Sequence, residues 1–313
     1  MLKRMDLKKI RKSISGFFTW IGLSLCSLII RVIPGSLIYP LARLIAFLGY
    51  FLVRKKRKIA LESLNIALGQ EKTRDEIVKI AKECFVCMAK GGVELIYLVD
   101  RPHLLKKRVQ IIGRDNLDVA LARDKGVILI SAHFGNFPIM LARLGLEGYN
   151  VTSIMRPMRN NYVEKLFSTK RKRFNIKTIY SQPRKVCIEL TIKSIRDNEL
   201  VFVLLDQNFG TGGVFVDFFG RKAATATGPL VLARRTKAAI VPCFMVRQRD
   251  DTHKIIIEPP FEQEEKGSYQ ENLIANIQGL TNIIEAYIRK YPEQWGWIHR
   301  RWKSRPNLER GGV

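Results

Sequence analysis

Between positions 127 and 246 the chain alternates two kinds of pattern. Short apolar runs at 127–130, 151–155, 177–180, 200–205 and 239–246 take turns with helix-length stretches at 136–147, 161–174, 184–196 and 228–236. Short runs of continuous apolar residues read as strands buried on both faces, and strands that alternate with helices build βαβ units. The pattern predicts an α/β fold, a largely parallel sheet flanked by helices. Upstream, 59–108 reads as helical. Thr73-Arg-Asp-Glu76 has the form of a capping box, Asn65 reads as a second turn signal, and Ile77, Ile80, Ala81, Cys84, Val86 and Met88 follow helical spacing. Glu94 is the one acid embedded among the apolar neighbours of this covering element. Downstream, 268–290 predicts a long amphipathic helix that stops before Pro292.

The N-terminus departs from this rhythm. Two longer apolar runs, 17–33 and 36–53, are broken only by Arg31, Pro40 and Arg43. The first, at a helical rise of about 1.5 Å per residue, reaches roughly 25 Å, the lower limit for crossing a bilayer. Basic residues crowd both flanks: Lys3, Arg4, Lys8, Lys9, Arg11 and Lys12 before the first run, and Arg54-Lys-Lys-Arg-Lys58 after the second. This predicts an N-terminal hydrophobic membrane helix that spans the bilayer or lies in its interface, within a membrane-anchoring segment 1–58. A catalytic domain over 59–306 and a frayed tail over 307–313 follow. With 54 Lys and Arg against 28 Asp and Glu, the formal net charge is +26. Such a charge suits polyanionic partners. The cations are spread along the chain without a nucleic-acid motif, so a membrane fits better than nucleic acid. Five cysteines without regular spacing argue for a reducing compartment, and the Cys84/Cys87 pair reads as buried apolar thiols.

Candidate chemistry gathers where strands end. His133, in Ser131-Ala-His-Phe-Gly-Asn136, follows the first strand, and Gly135 and Asn136 supply a turn and N-cap for the next helix. Arg156-Pro157 ends the second strand. Asp206-Gln207-Asn208 ends another and opens a glycine-rich loop, and Thr227-Gly228-Pro229 precedes a helix whose free N–H groups can hold an anion. Taken singly, these are a turn histidine, a surface cation and helix caps. Ligands collect beyond the carboxyl ends of parallel strands, however, and one sheet edge would bring all four together.

These residues, with Phe218-Phe-Gly220 and the tryptophan-rich 292–303 stretch, resemble the bacterial lipid A biosynthesis acyltransferases, lauroyl and myristoyl transferases within the lysophospholipid acyltransferase group. The likeness runs from the N-terminal hydrophobic helix to Pro306. It implies a glycerophosphate-acyltransferase-like fold and an inner-membrane protein facing the cytoplasm. It further implies transfer of a fatty acyl chain from acyl carrier protein to a hydroxyl of an anionic glycolipid acceptor, a lipid A precursor, with no cofactor and no metal. An alcohol attacking a thioester needs a base of near-neutral pKa, here His133, in direct transfer, since neither Ser131 nor Cys187 has an evident activating partner. Arg156 would bind an acceptor phosphate or polarise the carbonyl. Asn136, Gln207, Thr227 and Gly228 complete the expected substrate-binding set.

One position departs from the family pattern. Five residues after the histidine, where that pattern has an acid to orient the imidazole, this chain has Pro138. Glu94, Glu164 and Asp206 are the candidate replacements. Two alternatives stay open: a silent relative that binds lipid or acyl carrier protein, and an acyltransferase for another lysolipid or glycolipid. Trp295, Trp297 and Trp302 are expected in the core or at the membrane interface, with a pocket lining as a third role.

Overall fold

The computed structural model describes residue 22 and residues 24–158 and 160–306; the basic stretch 1–15, the beginning of the 17–33 run and the tail 307–313 lie outside the described residues. After a helical stretch ending at Val32, α1 (Ile38–Leu52) and α2 (Arg54–Leu68) lead to the long α3 (Arg74–Val99) and α4 (Pro102–Arg108). The α/β part follows as β1 (Val109–Ile112), α5 (Arg114–Leu121), β2 (Val127–Ser131), α6 (Phe137–Leu146), β3 (Val151–Met155), α7 (Asn161–Arg173), β4 (Ile176–Tyr180), α8 (Arg184–Arg196) and β5 (Leu200–Leu204). It continues through β6 (Val214–Phe218), β7 (Arg221–Thr225), α9 (Gly228–Thr236), β8 (Ala239–Arg247), β9 (His253–Ile257) and α10 (Tyr269–Lys290).

Seven strands form one sheet in the order β1-β9-β8-β2-β5-β3-β4. The five from β8 to β4 are mutually parallel, as the alternation of strand and helix predicts. The edge differs from a purely parallel sheet, because β9 turns back antiparallel to β8 and β1 pairs with β9. Sequence alternation could not announce those two strands, since no helix separates β9 from β8. The segment 214–225, which follows the glycine-rich loop, is a two-stranded hairpin whose turn residues Phe219 and Gly220 both have positive φ, 53° and 68°, as a tight two-residue hairpin turn requires.

Period-two side-chain direction divides the central strands between two cores. Ile128 and Ile130 of β2, with Val201 of β5 and Phe244 of β8, face a cluster shared with α2, α10 and the tryptophan-rich stretch. Val127 and Leu129 of β2, with Phe202 and Met245, face a cluster shared with α5, α6 and the second half of α3. That two-sided burial explains why these strands read as unbroken apolar runs. Thr73 makes the expected capping box with Glu76 at the head of α3. Asn65, in contrast, sits inside α2, where its carbonyl accepts from Gly69, and starts no turn.

Residues Gly35–Leu52 form an 18-residue helical run of mean hydropathy 1.5, long and apolar enough to cross a bilayer, and only 22% of it is buried. Pro40 stands in its first turn, where a missing N–H costs little. Ala42, Ala46 and Tyr50 pack inward, while Leu44, Phe47, Leu48, Phe51 and Leu52 project into the surroundings. The Arg54–Lys58 cluster forms the first turn of α2 directly after it. This apolar face is expected to lie among acyl chains. With the exposed Cys26 replaced, an environment-sensitive dye at Phe47→Cys should shift to the blue on addition of anionic vesicles, and one at the exposed Val119 of α5 should not; equal responses would place the face in water.

Candidate active site

Strand register decides which residues meet. β2 and β5 pair in parallel with Val127 opposite Leu200 and Ser131 opposite Leu204. Leu205 N donates to Ser131 O at 3.0 Å, so the alignment persists beyond the strands. Two residues past the last pair on each side stand His133 and Asp206. His133 Nδ1 lies 2.9 Å from Asp206 Oδ1, and the His133 backbone N–H donates to Oδ2 at 2.8 Å. Trp295 Nε1 donates to the same Oδ2 at 2.7 Å. The Asp206 side chain is 1% exposed and that of His133 18%.

Burial alone would raise the Asp206 pKa. The His133 charge and these hydrogen bonds outweigh it and hold the carboxyl at about 2. For His133, burial disfavours the charged ring, and Asp206 overcomes that and raises the pKa above the usual histidine value. With Nδ1 donating to an ionised carboxylate, Nε2 is the acceptor, and the Gln207 amide nitrogen faces it at 3.1 Å. The His299 ring lies 4.6 Å away, centre to centre. Burial, then the charge of His133, lowers its pKa below the usual histidine value.

The stretch 292–297 straps this arrangement in place. Gln294 clamps the end of β8, accepting from Arg247 N at 2.8 Å and donating to Arg247 O at 3.0 Å. Its carbonyl accepts from Gly135 N at 2.8 Å, and Gly296 N donates to His133 O at 2.9 Å. Gly135 has φ 57°, and a Cβ there would lie 1.8 Å from Met245 O, so only glycine permits this approach. Trp295, Trp297 and Trp302 are buried in the core, and Trp295 also lines the site cavity. Sequence reading did not foresee Trp295 as a donor to Asp206, nor the parts played by Gln294 and His299. Their signal was the density of the 292–303 motif, but nothing in the spacing says which atom each touches.

Asn136 stands at the N-cap position of α6, but its side chain makes no capping bond. It turns inward and donates to Gly91 O and Glu94 Oε2, both at 3.1 Å. Pro138, in the first turn of α6, lines the site cavity of about 290 Å³ together with His133, Asn136, Phe137 and His299. Beyond Leu95, Phe137 and Pro138, which both spaces share, a mainly apolar cavity of about 220 Å³ runs toward Leu141, Ala142 and Phe174. Glu94 is fully buried and salt-bridged to Arg247, with His253 Nε2 at 3.2 Å, and makes no bond to His133 among the described residues. Burial would raise its pKa, and His253 and Arg247 hold it at about 2. Glu164, the third candidate acid, accepts from Met158 N and Arg171 within its own neighbourhood.

Arg156 follows β3 on the same sheet edge, exposed and outside the cavity lining. Thr227 and Gly228 head α9, also outside that lining. Their link to the site is indirect. The buried Arg301 donates to Gln207 O at 3.3 Å, to Ala224 O at 2.6 Å and to Thr225 Oγ1. Cys84 and Cys87 are free thiols pushed up to about 12 by burial. Among the described residues no group of three His, Cys, Asp or Glu side chains is placed to hold a metal.

The pattern of the bacterial lipid A biosynthesis acyltransferases matches residues 5–304. The chain is 25% identical over 297 residues to the lipid A biosynthesis lauroyltransferase of Escherichia coli (strain K12), covering 93% of this chain and 92% of that one. It is 26% identical over 302 residues to the lipid A biosynthesis palmitoleoyltransferase of the same strain, with the same coverage. A phosphatidylinositol mannoside acyltransferase of Mycobacterium tuberculosis (strain CDC 1551 / Oshkosh) matches at 28% over 131 residues, 42% of each chain.

The pair of pKa shifts has a measurable consequence. Asp206→Asn removes what favours the charged ring and leaves the burial that opposes it, so the His133 pKa should fall from above the ordinary value of about 6.5 to below it. Imidazole resonances followed by NMR against pH check this; an unchanged midpoint would remove Asp206 as the cause.

Proposed function

The chain belongs to the bacterial lipid A biosynthesis acyltransferase family and is an acyltransferase, and from that premise we propose that it moves a fatty acyl chain from an acyl carrier protein thioester to a hydroxyl of a lipid A precursor, with His133 as general base. The observation that carries this reading is the buried His133–Asp206 pair in the cavity wall, with Nδ1 bonded to the carboxylate. In the neutral ring Nε2 takes the acceptor hydroxyl's proton as its oxygen attacks the thioester carbonyl carbon. Asp206 stabilises the imidazolium that results. Collapse of the tetrahedral intermediate breaks the C–S bond, and the Nε2 proton passes to the departing thiolate. α6 starts at the cavity, so the positive end of its dipole faces the developing oxyanion.

Asp206 occupies the Nδ1 side of His133, so a carboxylate at position 138 would be redundant. This weighs against the silent binding protein, whose motive was Pro138. Glu94 acts one step back, holding Arg247 and Asn136 in the cavity wall. Arg156, at the rim on the β3 side, is the candidate contact for an anionic part of the acceptor, and the apolar cavity past Phe137 and Pro138 suits the acyl chain. A site on the cytoplasmic face of the inner membrane fits the exposed face of α1 and the basic turn that follows it. The +26 charge suits both an acidic carrier protein and an anionic glycolipid. The partial likeness to the phosphatidylinositol mannoside acyltransferase supports a second reading, another glycolipid acceptor for the same chemistry.

Transfer from a panel of acyl carrier protein thioesters to a lipid A precursor in micelles tests the reaction. His133→Ala is expected to lose about a hundredfold or more of the rate. A wild-type protein that binds donors and acceptors but transfers nothing would overturn it. In the same panel Ala142→Leu, which adds bulk to the apolar cavity, should lower kcat/KM for the longest accepted chain by about tenfold or more while sparing shorter ones; an unmoved chain-length profile would place the acyl chain elsewhere.

A further inference from the structure

On its β8 side the catalytic cavity adjoins a larger cleft of about 870 Å³, and the two share Cys87, Arg247, Glu293 and Gln294 in their walls. The acids of this cleft are already engaged. Asp251 accepts from Lys90 Nζ at 2.6 and 2.8 Å and from Arg247 at 3.2 Å. Asp250 accepts from Thr252 N at 3.0 Å and Oγ1 at 2.7 Å, and Glu293 from Gln294 Nε2 at 3.3 Å. The guanidinium of Arg247, 8% exposed, is locked to the fully buried Glu94. Three more cations line the cleft, Arg249, Lys254 and Lys290, and none is paired with a carboxylate among the described residues. Lys90 and Arg247 are balanced by Asp251 and Glu94, and Arg249, Lys254 and Lys290 outnumber Asp250 and Glu293 by one, so the cleft has a rigid, internally neutralised wall and a small excess of positive charge.

Resting on the acyl-transfer reading, we propose that this cleft binds a phosphoryl group of a substrate whose reacting atoms lie at His133. Phosphate oxygens are the acceptors that unpaired Lys and Arg donors suit best, and Glu94 and Asp251, held by Arg247 and Lys90, cannot swing across to neutralise the free cations. Sheet order separates this site from Arg156. β8 flanks β2 on one side and β5, then β3, on the other, so the cleft and Arg156 bracket His133 from opposite sides. Two substrate pieces carry the required chemistry: a phosphate on the glycolipid acceptor, and the phosphodiester of the donor's pantetheine arm.

Direct binding to the full-length protein in detergent micelles separates these sources and needs no turnover. The probes are a phosphorylated lipid A precursor beside its phosphatase-treated form, and an acyl phosphopantetheine beside the acyl pantetheine without phosphate. The double variant Arg249→Ala/Lys290→Ala alters two exposed side chains outside the catalytic cavity. It is expected to bind one phosphorylated probe about tenfold or more weakly while binding its dephosphorylated twin as wild type does. The affected pair identifies the source, and the unaffected twin shows that the variant is folded. Wild-type affinity for both phosphorylated probes, or equal losses with and without phosphate, overturns the proposal. A protein inert in acyl transfer that still shows the phosphate-dependent difference retains this site and loses the enzymatic reading.

Discussion

A single buried carboxylate ties the molecule's parts into a site. Asp206 receives the His133 ring, the His133 backbone and the Trp295 indole, so it joins the end of β2, the end of β5 and the C-terminal strap. An ionised group in so enclosed a position is tolerable only when every lobe of its charge has a donor. The same contacts fix the orientation of the imidazole, with Nδ1 toward the carboxylate. Removing one donor would cost stability as well as geometry, which is why the strap residues are structural and functional at once.

The membrane-facing elements converge on the same place. Ser63 of α2 donates to His299 O at 3.3 Å, and the charge of Lys56, in the basic first turn of that helix, helps to lower the His299 pKa. Apolar α1, the basic turn and the His133–His299 pair thus follow one another in space. A bilayer that takes up the exposed face of α1 leaves the turn at headgroup depth, and His133 opens close to it.

Around the histidine, most charge is compensated within the fold. Glu94, Arg247, Lys90 and Asp251 form a compensated group between α3 and the β8–β9 edge. That edge exists because β9 turns back on β8, so the antiparallel departure from the parallel sheet is also what builds the wall of the basic cleft. Pro138 is easily borne at the head of α6, where helices tolerate proline, and Asp206 holds the His133 ring from the end of β5.

Much of this was legible in the residues themselves. Continuous apolar runs marked the five parallel strands, because burial on both faces leaves no polar positions, and Thr73-x-x-Glu76 marked the start of α3. His133, Asp206 and Gln207 were legible as strand-end polar residues. The partnership among them was not, for it depends on β5 inserting beside β2 in a register that brings positions 133 and 206 level, and register across a sheet is a property of packing that no local pattern encodes. Asn136 shows the limit most plainly. Its place before a helix reads as a cap, yet a buried Glu94 from α3 offers a stronger acceptor, and only the tertiary fold puts that carboxylate within reach. The sequence by itself determined the five parallel strands, the helices between them and the long apolar helix near the N-terminus, because those follow from each residue's own chemistry and spacing. The tertiary structure alone decided which acid serves the histidine, which tryptophan holds it and which cations remain unpaired, because each of those depends on the nearest neighbour in space.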